Sequence, residues 1–272
     1  MKLSALFLAL LFSLNLKAGG ELLPSGARAM GLGGAYSVLT DHWGALNNPA
    51  SLGSVNYFAI GASASRPFGI SQLNLSAAAV AIPIKNLATL GLGLQNTSLA
   101  NAYQQIRAGG AISRQFGENF SAGAHFGIHH FNYANYGQST FFSSAFGFIF
   151  KPINKVRMGA VVHNPFSKTI SAFEDERLPM RFVSGFGYEF SDSLLLVAEL
   201  NMSLDGDYRL HSGIEYLITK NIAFRAGFAT RPVETSLGIS IKRKYFALNF
   251  SLGYHSRLGA TPHLSFNYAQ TP

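Results

Sequence analysis

Five arginines and three glutamates, Arg107, Arg157, Arg181, Arg209 and Arg225 with Glu189, Glu199 and Glu215, fall where a two-residue alternation turns them to the polar face of a strand. Side chains of this kind can line a polar path or hold another segment in place. They can also pair across neighbouring strands as an ion-pair ladder. The ladder is the favoured reading, because an enclosed charge needs a counter-charge. The histidines do not add a metal centre. His125 and His129 are four apart on one extended segment, roughly 13 Å along it, and His129 and His130 point to opposite faces. The chain has no cysteine, which removes thiolate ligands and thiol catalysis. No G-x-S-x-G elbow occurs, and Ser184 and Ser212, the serines within apolar faces, have no obvious histidine partner. MGLGGAY follows no buried strand and opens no long helix, so it is not a dinucleotide motif. No catalytic residue, metal or cofactor is expected.

The elements that must position these charges read as strands. From residue 56 onward the chain breaks into segments of about ten residues, the length a tilted strand needs to cross a bilayer. Fourteen are expected: 56–64, 69–82, 87–96, 102–115, 119–133, 138–150, 155–163, 179–190, 194–202, 207–217, 221–229, 234–242, 245–255 and 261–269. Leu90, Leu92 and Leu94 share one face of their segment, with Gly91, Gly93 and Gln95 on the other. Phe224, Ala226 and Phe228 oppose Arg225 and Gly227. Phe246, Leu248, Phe250 and Leu252 oppose Asn249, Ser251 and Gly253. Period two sends one set to lipid and the other to a lumen.

Composition favours the membrane. Charged residues are 12% of 272 and aromatics 13%, too little charge to cover a water-facing surface. No run of 18 apolar residues exists in the body of the chain, so no helix spans a bilayer. Every second connection is short (83–86, 116–118, 152–155, 191–193, 219–220 and 243–244), and those between are longer, most clearly 95–101, 164–179 and 203–207. Outer-membrane barrels alternate in this way, with tight periplasmic turns and longer external loops. The expected fold is all-β, a closed 14-stranded antiparallel transmembrane barrel over 56–272. Residues 1–18, with Lys2, an apolar stretch at 3–14 and Ala18 before the cut, read as an export signal. Without Lys2 and Lys17 the chain keeps 19 basic against 13 acidic residues. That excess is diffuse apart from Lys242-Arg243-Lys244, with no stripe for nucleic acid. Lipid phosphates are the expected partner of such surface cations.

Residues 19–55 are neither strand nor long helix. They precede the first strand, start on the periplasmic side and can fold into the lumen. A fourteen-stranded barrel is too wide to be filled by its own wall. Gly31, Gly33 and Gly34 allow close backbone approach to that wall. Asn48 before Pro49 reads as a helix cap and first helical residue. Trp43 either gates the lumen or anchors the segment by packing. Glycines at inward wall positions leave room for such a plug, or equally permit a tight, twisted sheet.

The pattern GARAMGLGGAY (26–36) followed by NNPASL (47–52) resembles the N-terminal hatch of the FadL family of outer-membrane transporters for hydrophobic compounds. It resembles more closely the short PorV/PorQ-type relatives of Bacteroidota. Residues 211–232 (HSGIEYLITKNIAFRAGFATRP) and 254–268 (YHSRLGATPHLSFNY) are similar to the strand patterns of that group. The resemblance implies a fourteen-stranded barrel with an N-terminal plug, in the outer membrane of a Gram-negative bacterium. It carries Gly33, Asn48 and Pro49 over as structural positions. Because the expected external loops are short apart from 164–179, it points first to a PorV/PorQ-type barrel that binds partner or cargo proteins of a type IX-like secretion system. The alternative is a FadL-like channel for small hydrophobic molecules, opening sideways through its wall.

Overall fold

The computed structural model describes residues 23–166, 168–169, 178–204 and 206–270. The expected export signal, the start of the 19–55 segment and most of the 164–179 connection lie outside the described residues. The strands are β1 (Ala59–Ser65), β2 (Leu73–Ile84), β3 (Ala88–Leu99), β4 (Tyr103–Phe116), β5 (Phe120–Tyr133), β6 (Gly137–Ile153) and β7 (Val156–His163). They continue with β8 (Lys168–Thr169), β9 (Arg181–Ser191), β10 (Leu194–Ser203), β11 (Tyr208–Thr219), β12 (Ile222–Ala229), β13 (Glu234–Arg243), β14 (Phe246–His255) and β15 (Gly259–Ala269). All but β8 pair antiparallel with their neighbours in chain order, and β1 pairs with β15 to close the ring. The two-residue β8 lies on β6 outside this ring. The result is a closed 14-stranded antiparallel barrel.

The alternation in the sequence becomes the two faces of the wall. Leu90, Leu92 and Leu94 stand exposed on the outside of β3, as do Phe246, Leu248, Phe250 and Leu252 on β14. Gln95, Asn249 and Ser251 are buried inside. Closure joins the first and last strands, so the ring has no free terminal strand, as spanning a bilayer with strands requires. On β6, the stretch from Gly137 to Ser144 runs past the end of β7 and meets the two-residue β8 instead. Phe, Leu, Ile and Met side chains stand exposed on the outer face of strands right round the ring. A patch of this extent suits lipid and not water.

The tight connections fall between β2 and β3, β4 and β5, β6 and β7, β9 and β10, β11 and β12, and β13 and β14. Asn86, Gly117 and Lys244 take up their positive φ angles. At the other end the contrast in length is smaller than the sequence suggested. Residues 95–101 are not a long loop. The polar run Gln95 to Leu99 continues β3, laddered to Ala77–Leu73 on one side and Arg107–Tyr103 on the other. Two flanking strands outweigh the low strand preference of Asn and Ser.

The core sits inside the barrel. The N-terminal segment winds through the lumen as α1 (Ala27–Gly31) and two 3-10 turns, His42–Ala45 and Pro49–Ser54. Leu32, Val38 and Leu39 pack with Ala145, Val161, Val183, Leu195 and Val197 of the wall. Trp43, Leu46, Leu52 and Val55 pack with Ala59, Ala77, Ala79, Ala81 and Ala111. Small wall residues thus face large residues of the segment.

Candidate functional site: the filled lumen and its cavity

The wall is shaped to the segment. A Cβ added at Gly213 would lie 2.7 Å from the Leu32 Cα and carbonyl oxygen, and one at Gly123 would lie 2.6 Å from the Pro49 carbonyl carbon. One at Gly91 or Gly93 would meet the Leu52 or Leu46 side chain. Not every wall glycine faces the segment: a Cβ at Gly127 would meet the wall itself, at Ala108 and Gly109.

Gly33 is where the segment comes closest from its own side. Its φ is +71°, and a Cβ there would lie 2.6 Å from the Phe228 carbonyl oxygen. Its N–H donates to Ser236 Oγ at 3.0 Å, and its carbonyl accepts from His211 Nδ1 at 2.6 Å. Ser236 Oγ in turn donates to the Gly31 carbonyl, while Gly34 N–H closes α1 onto the Ala29 carbonyl at 2.9 Å. Trp43 is buried, its backbone N–H donating to Asp41 Oδ1 and its ring against Gly26. Asn48 accepts from the Ala50 N–H at 3.1 Å and donates to the Ser37 carbonyl at 2.6 Å, with Pro49 in the first helical position after it. Asn48 therefore holds two parts of the segment together.

The charged residues do not form one continuous ladder. Glu215 and Arg225 are register partners and bond directly, and Arg157 pairs with Glu189 from the next strand. Arg209 pairs instead with Glu234, at 2.7 Å, and donates to the Thr230 carbonyl. Glu199 meets no arginine among the described residues. Its Oε2 accepts the backbone N–H groups of Tyr36 (2.9 Å) and Ser37 (2.7 Å). Arg107 is buried opposite His129, with no carboxylate partner among the described residues. Arg181 is the register partner of His163 on the neighbouring strand. The reason is geometric: the lumen is filled by backbone, and a carboxylate there satisfies buried N–H donors that a strand partner cannot reach.

Two residues of the segment were invisible to the pattern. Arg28 forks onto Glu215, donating from Nε at 3.0 Å and Nη2 at 2.7 Å, and reaches Asp41 at 3.5 Å. A lone cation in an otherwise uncharged glycine-rich stretch was the signal that could have found it. The Tyr36 hydroxyl meets His163 Nε2 at 3.0 Å. Burial, with the Glu199 carboxylate adding to it, pushes that hydroxyl well above the usual phenol range.

At the end opposite the tight turns the filling stops short and leaves a cavity of about 110 Å³. Leu23, Met30, Phe68 and Leu75 give it an apolar side. Asn201, His211 and the Arg209–Glu234 pair give it a polar one, with Gly33, Gly34 and Tyr36 as part of the floor. Ser65 and His263 line this cavity and also a recess of about 280 Å³ whose other walls include the outward residues Phe250 and Leu264. These two side chains stand between the lumen and the lipid face.

Fold and lumen together define a closed membrane barrel occupied by its own N-terminal segment. Several solved structures match its fold along nearly their whole length. The chain is similar to the CymD monoaromatic hydrocarbon channel, at 15% identity and a TM-score of 0.70 over 94% of this chain and 99% of that one. It is similar to a FadL homologue of Pseudomonas aeruginosa, at 14% identity and a TM-score of 0.66 over 90% and 98%. The Pseudomonas putida toluene transporter TodX matches at 13% identity and a TM-score of 0.65 over 90% and 96%. One of these neighbours is named for monoaromatic hydrocarbons, one for toluene and one as a FadL homologue, and at such identities the likeness is one of fold. No PorV/PorQ-type protein is among the three. No family model matches the sequence, and no curated protein matches it.

Proposed function

We propose that this chain is an outer-membrane channel that passes small hydrophobic molecules, with residues 19–55 as the hatch and 56–272 as the barrel. One observation carries the reading: among the described residues the segment packs against the inner wall and leaves a partly apolar cavity, which shares Ser65 and His263 with a recess on the lipid face. A small apolar molecule has a pocket to enter and a thin wall to leave through, and it is attracted to both by burial. The neighbours named for monoaromatic hydrocarbons and for toluene support the same reading. The outward apolar belt supports an outer-membrane location, with lipid as the constant partner. Neighbours named as channels and transporters fit a role in passing molecules rather than in transforming them.

The test is uptake of labelled toluene by cells displaying the chain in their outer membrane. Uptake is expected to exceed that of cells displaying Leu75→Trp, which fills the cavity. Equal uptake by both, at the level of cells without the chain, would overturn the reading.

The secretion-partner reading keeps one observation in its favour. The connections at 100–102, 134–136 and 256–258 are three residues each, too short to build a deep capture groove. Native mass spectrometry of the protein extracted gently from its own membrane separates the two. A stoichiometric protein partner supports the secretion role, and a small apolar ligand alone supports the channel.

A further inference from the structure

We infer that the cavity selects a small aromatic molecule bearing one neutral hydroxyl group, of the phenol class, over the hydrocarbon of the same size. This rests on the channel reading and deepens it.

The argument starts from two polar atoms. Ser65 Oγ and His263 Nε2 are buried and have no hydrogen-bond partner among the described residues. His263 as a whole is only 7% exposed. They are register partners on β1 and β15, so the hydroxyl and the ring stand side by side. Leu75 is the register partner of Ser65 on the other side. A row of leucine, hydroxyl and imidazole therefore crosses three strands along one edge of the cavity. Met30 from α1 and Phe68 from the turn after β1 close over its apolar end.

Buried polar groups are almost always satisfied, and an unmade bond costs the full desolvation of the group. A hydrocarbon seated here would cover both atoms and satisfy neither. A hydroxyl can do both at once, because it donates one bond and accepts another, and imidazole and serine each offer either role. The volume limits the ligand to a single ring: an apolar cavity of about 150 Å³ holds benzene, and this one, at about 110 Å³, is smaller and has no room for a second ring.

Charge decides between a hydroxyl and a carboxylate. Arg209, the cation lining the cavity, is already bonded to Glu234 and the Thr230 carbonyl. Glu234 also lines the space and repels an anion. A neutral head group meets neither obstacle.

The experiment is a 19F NMR titration of the full chain in lipid nanodiscs with 4-fluorophenol and with fluorobenzene, using empty nanodiscs to subtract partition into lipid. The phenol is expected to bind about tenfold more tightly, the scale set by one buried polar group left unpaired. His263→Leu and, separately, Ser65→Ala are expected to narrow or reverse that ratio. Heat-modifiable migration on gels shows that each variant is folded. Two independent positions keep the test open if one variant fails to assemble. Equal binding of the two probes, or a preference for fluorobenzene, overturns the hydroxyl selection and leaves the channel reading standing. If neither probe binds while toluene uptake is still accelerated, the cavity is not the selective site and the inference fails alone. If neither binds and uptake is not accelerated, both fail.

Discussion

Arg28 of α1 and Glu215 of β11 face each other across the boundary between the N-terminal segment and the wall, joined by two charge-assisted hydrogen bonds of 3.0 and 2.7 Å. The same carboxylate also takes Arg225 from β12. One acid therefore ties the segment to the wall and a strand to its neighbour. Glu215→Gln leaves the Arg225 side chain, 5% exposed, without its counter-charge. Removing one partner of a buried pair costs about 3–5 kcal/mol. Arg28→Ala keeps the Glu215–Arg225 pair and is expected to cost clearly less, the more so because the Arg28 side chain is a quarter exposed. Urea unfolding in lipid vesicles measures both, and a Glu215→Gln variant as stable as the parent would refute this ranking.

The contact of Gly213 with Leu32 gives a second expectation. A methyl group at Gly213 has to displace backbone at 2.7 Å, not the free end of a side chain. Overpacking of this kind costs about 1–3 kcal/mol. Gly110 on β4 is the control, since its nearest contacts would be 3.8 Å away. Gly213→Ala is expected to loosen the segment, seen as faster amide exchange at 29–35, while Gly110→Ala leaves that exchange unchanged. The same faster exchange in both variants would mean that the wall is not shaped to the segment.

His42 lies buried in the first 3-10 turn, with its ring nitrogen 3.2 Å from Asn267. Burial lowers its pKa below the usual histidine value, against the opposing influence of Asp41 and the Asn267 bond. The folded form therefore holds the ring neutral, while the opened form takes up a proton near pH 6.5. Below that pH the opened state binds more protons than the closed one, so the stability of the segment falls as pH drops. Above it this contribution is fully present. Amide exchange at Trp43 to Leu46, corrected for its intrinsic pH dependence, is expected to speed up between pH 7 and 5. His42→Gln is expected to flatten that profile. A parent profile as flat as that of the variant would remove His42 as the cause.

The wall was legible in the sequence because a strand in a bilayer has one rule for each face. Leu90, Leu92 and Leu94 against Gly91, Gly93 and Gln95 needs no partner to be read. The lumen was not legible in the same way. Arg28 and Glu215 are 187 positions apart, and α1 has five residues and no periodicity of its own. Glu199 looked like one rung of a ladder, but the ladder idea assumed that strands pair only with strands. Once backbone from the segment enters, its N–H groups compete for the carboxylate and win at Tyr36 and Ser37. The wall glycines show the same limit. Their number suggested either room for a plug or a twisted sheet, and the choice is made position by position, by Leu32 at Gly213 and by Ala108 at Gly127. The end of β3 was missed for the opposite reason: local polarity resembled a loop, and pairing on both sides overrode it.

The assignment of the outer face is tested most directly at β3. Leu92 is 56% exposed in the middle of the strand, and Leu87 is 57% exposed in the tight turn before it. Exposure alone therefore does not distinguish them, but depth does. An arginine at the bilayer midplane costs roughly 2–4 kcal/mol and falls to about 0–1 near the interface. Leu92→Arg is expected to destabilise the barrel in lipid vesicles by the larger amount and Leu87→Arg by the smaller. Gly91→Arg is not a usable inward control, because even a Cβ there would lie 2.5 Å from the Leu52 side chain. The better control is the solvent. In short-chain detergent, which has no fixed thickness, the gap between Leu92→Arg and Leu87→Arg is expected to shrink. If the gap is the same in vesicles and detergent, packing and not bilayer depth sets the cost, and the apolar belt would have to be read as a surface for something other than lipid.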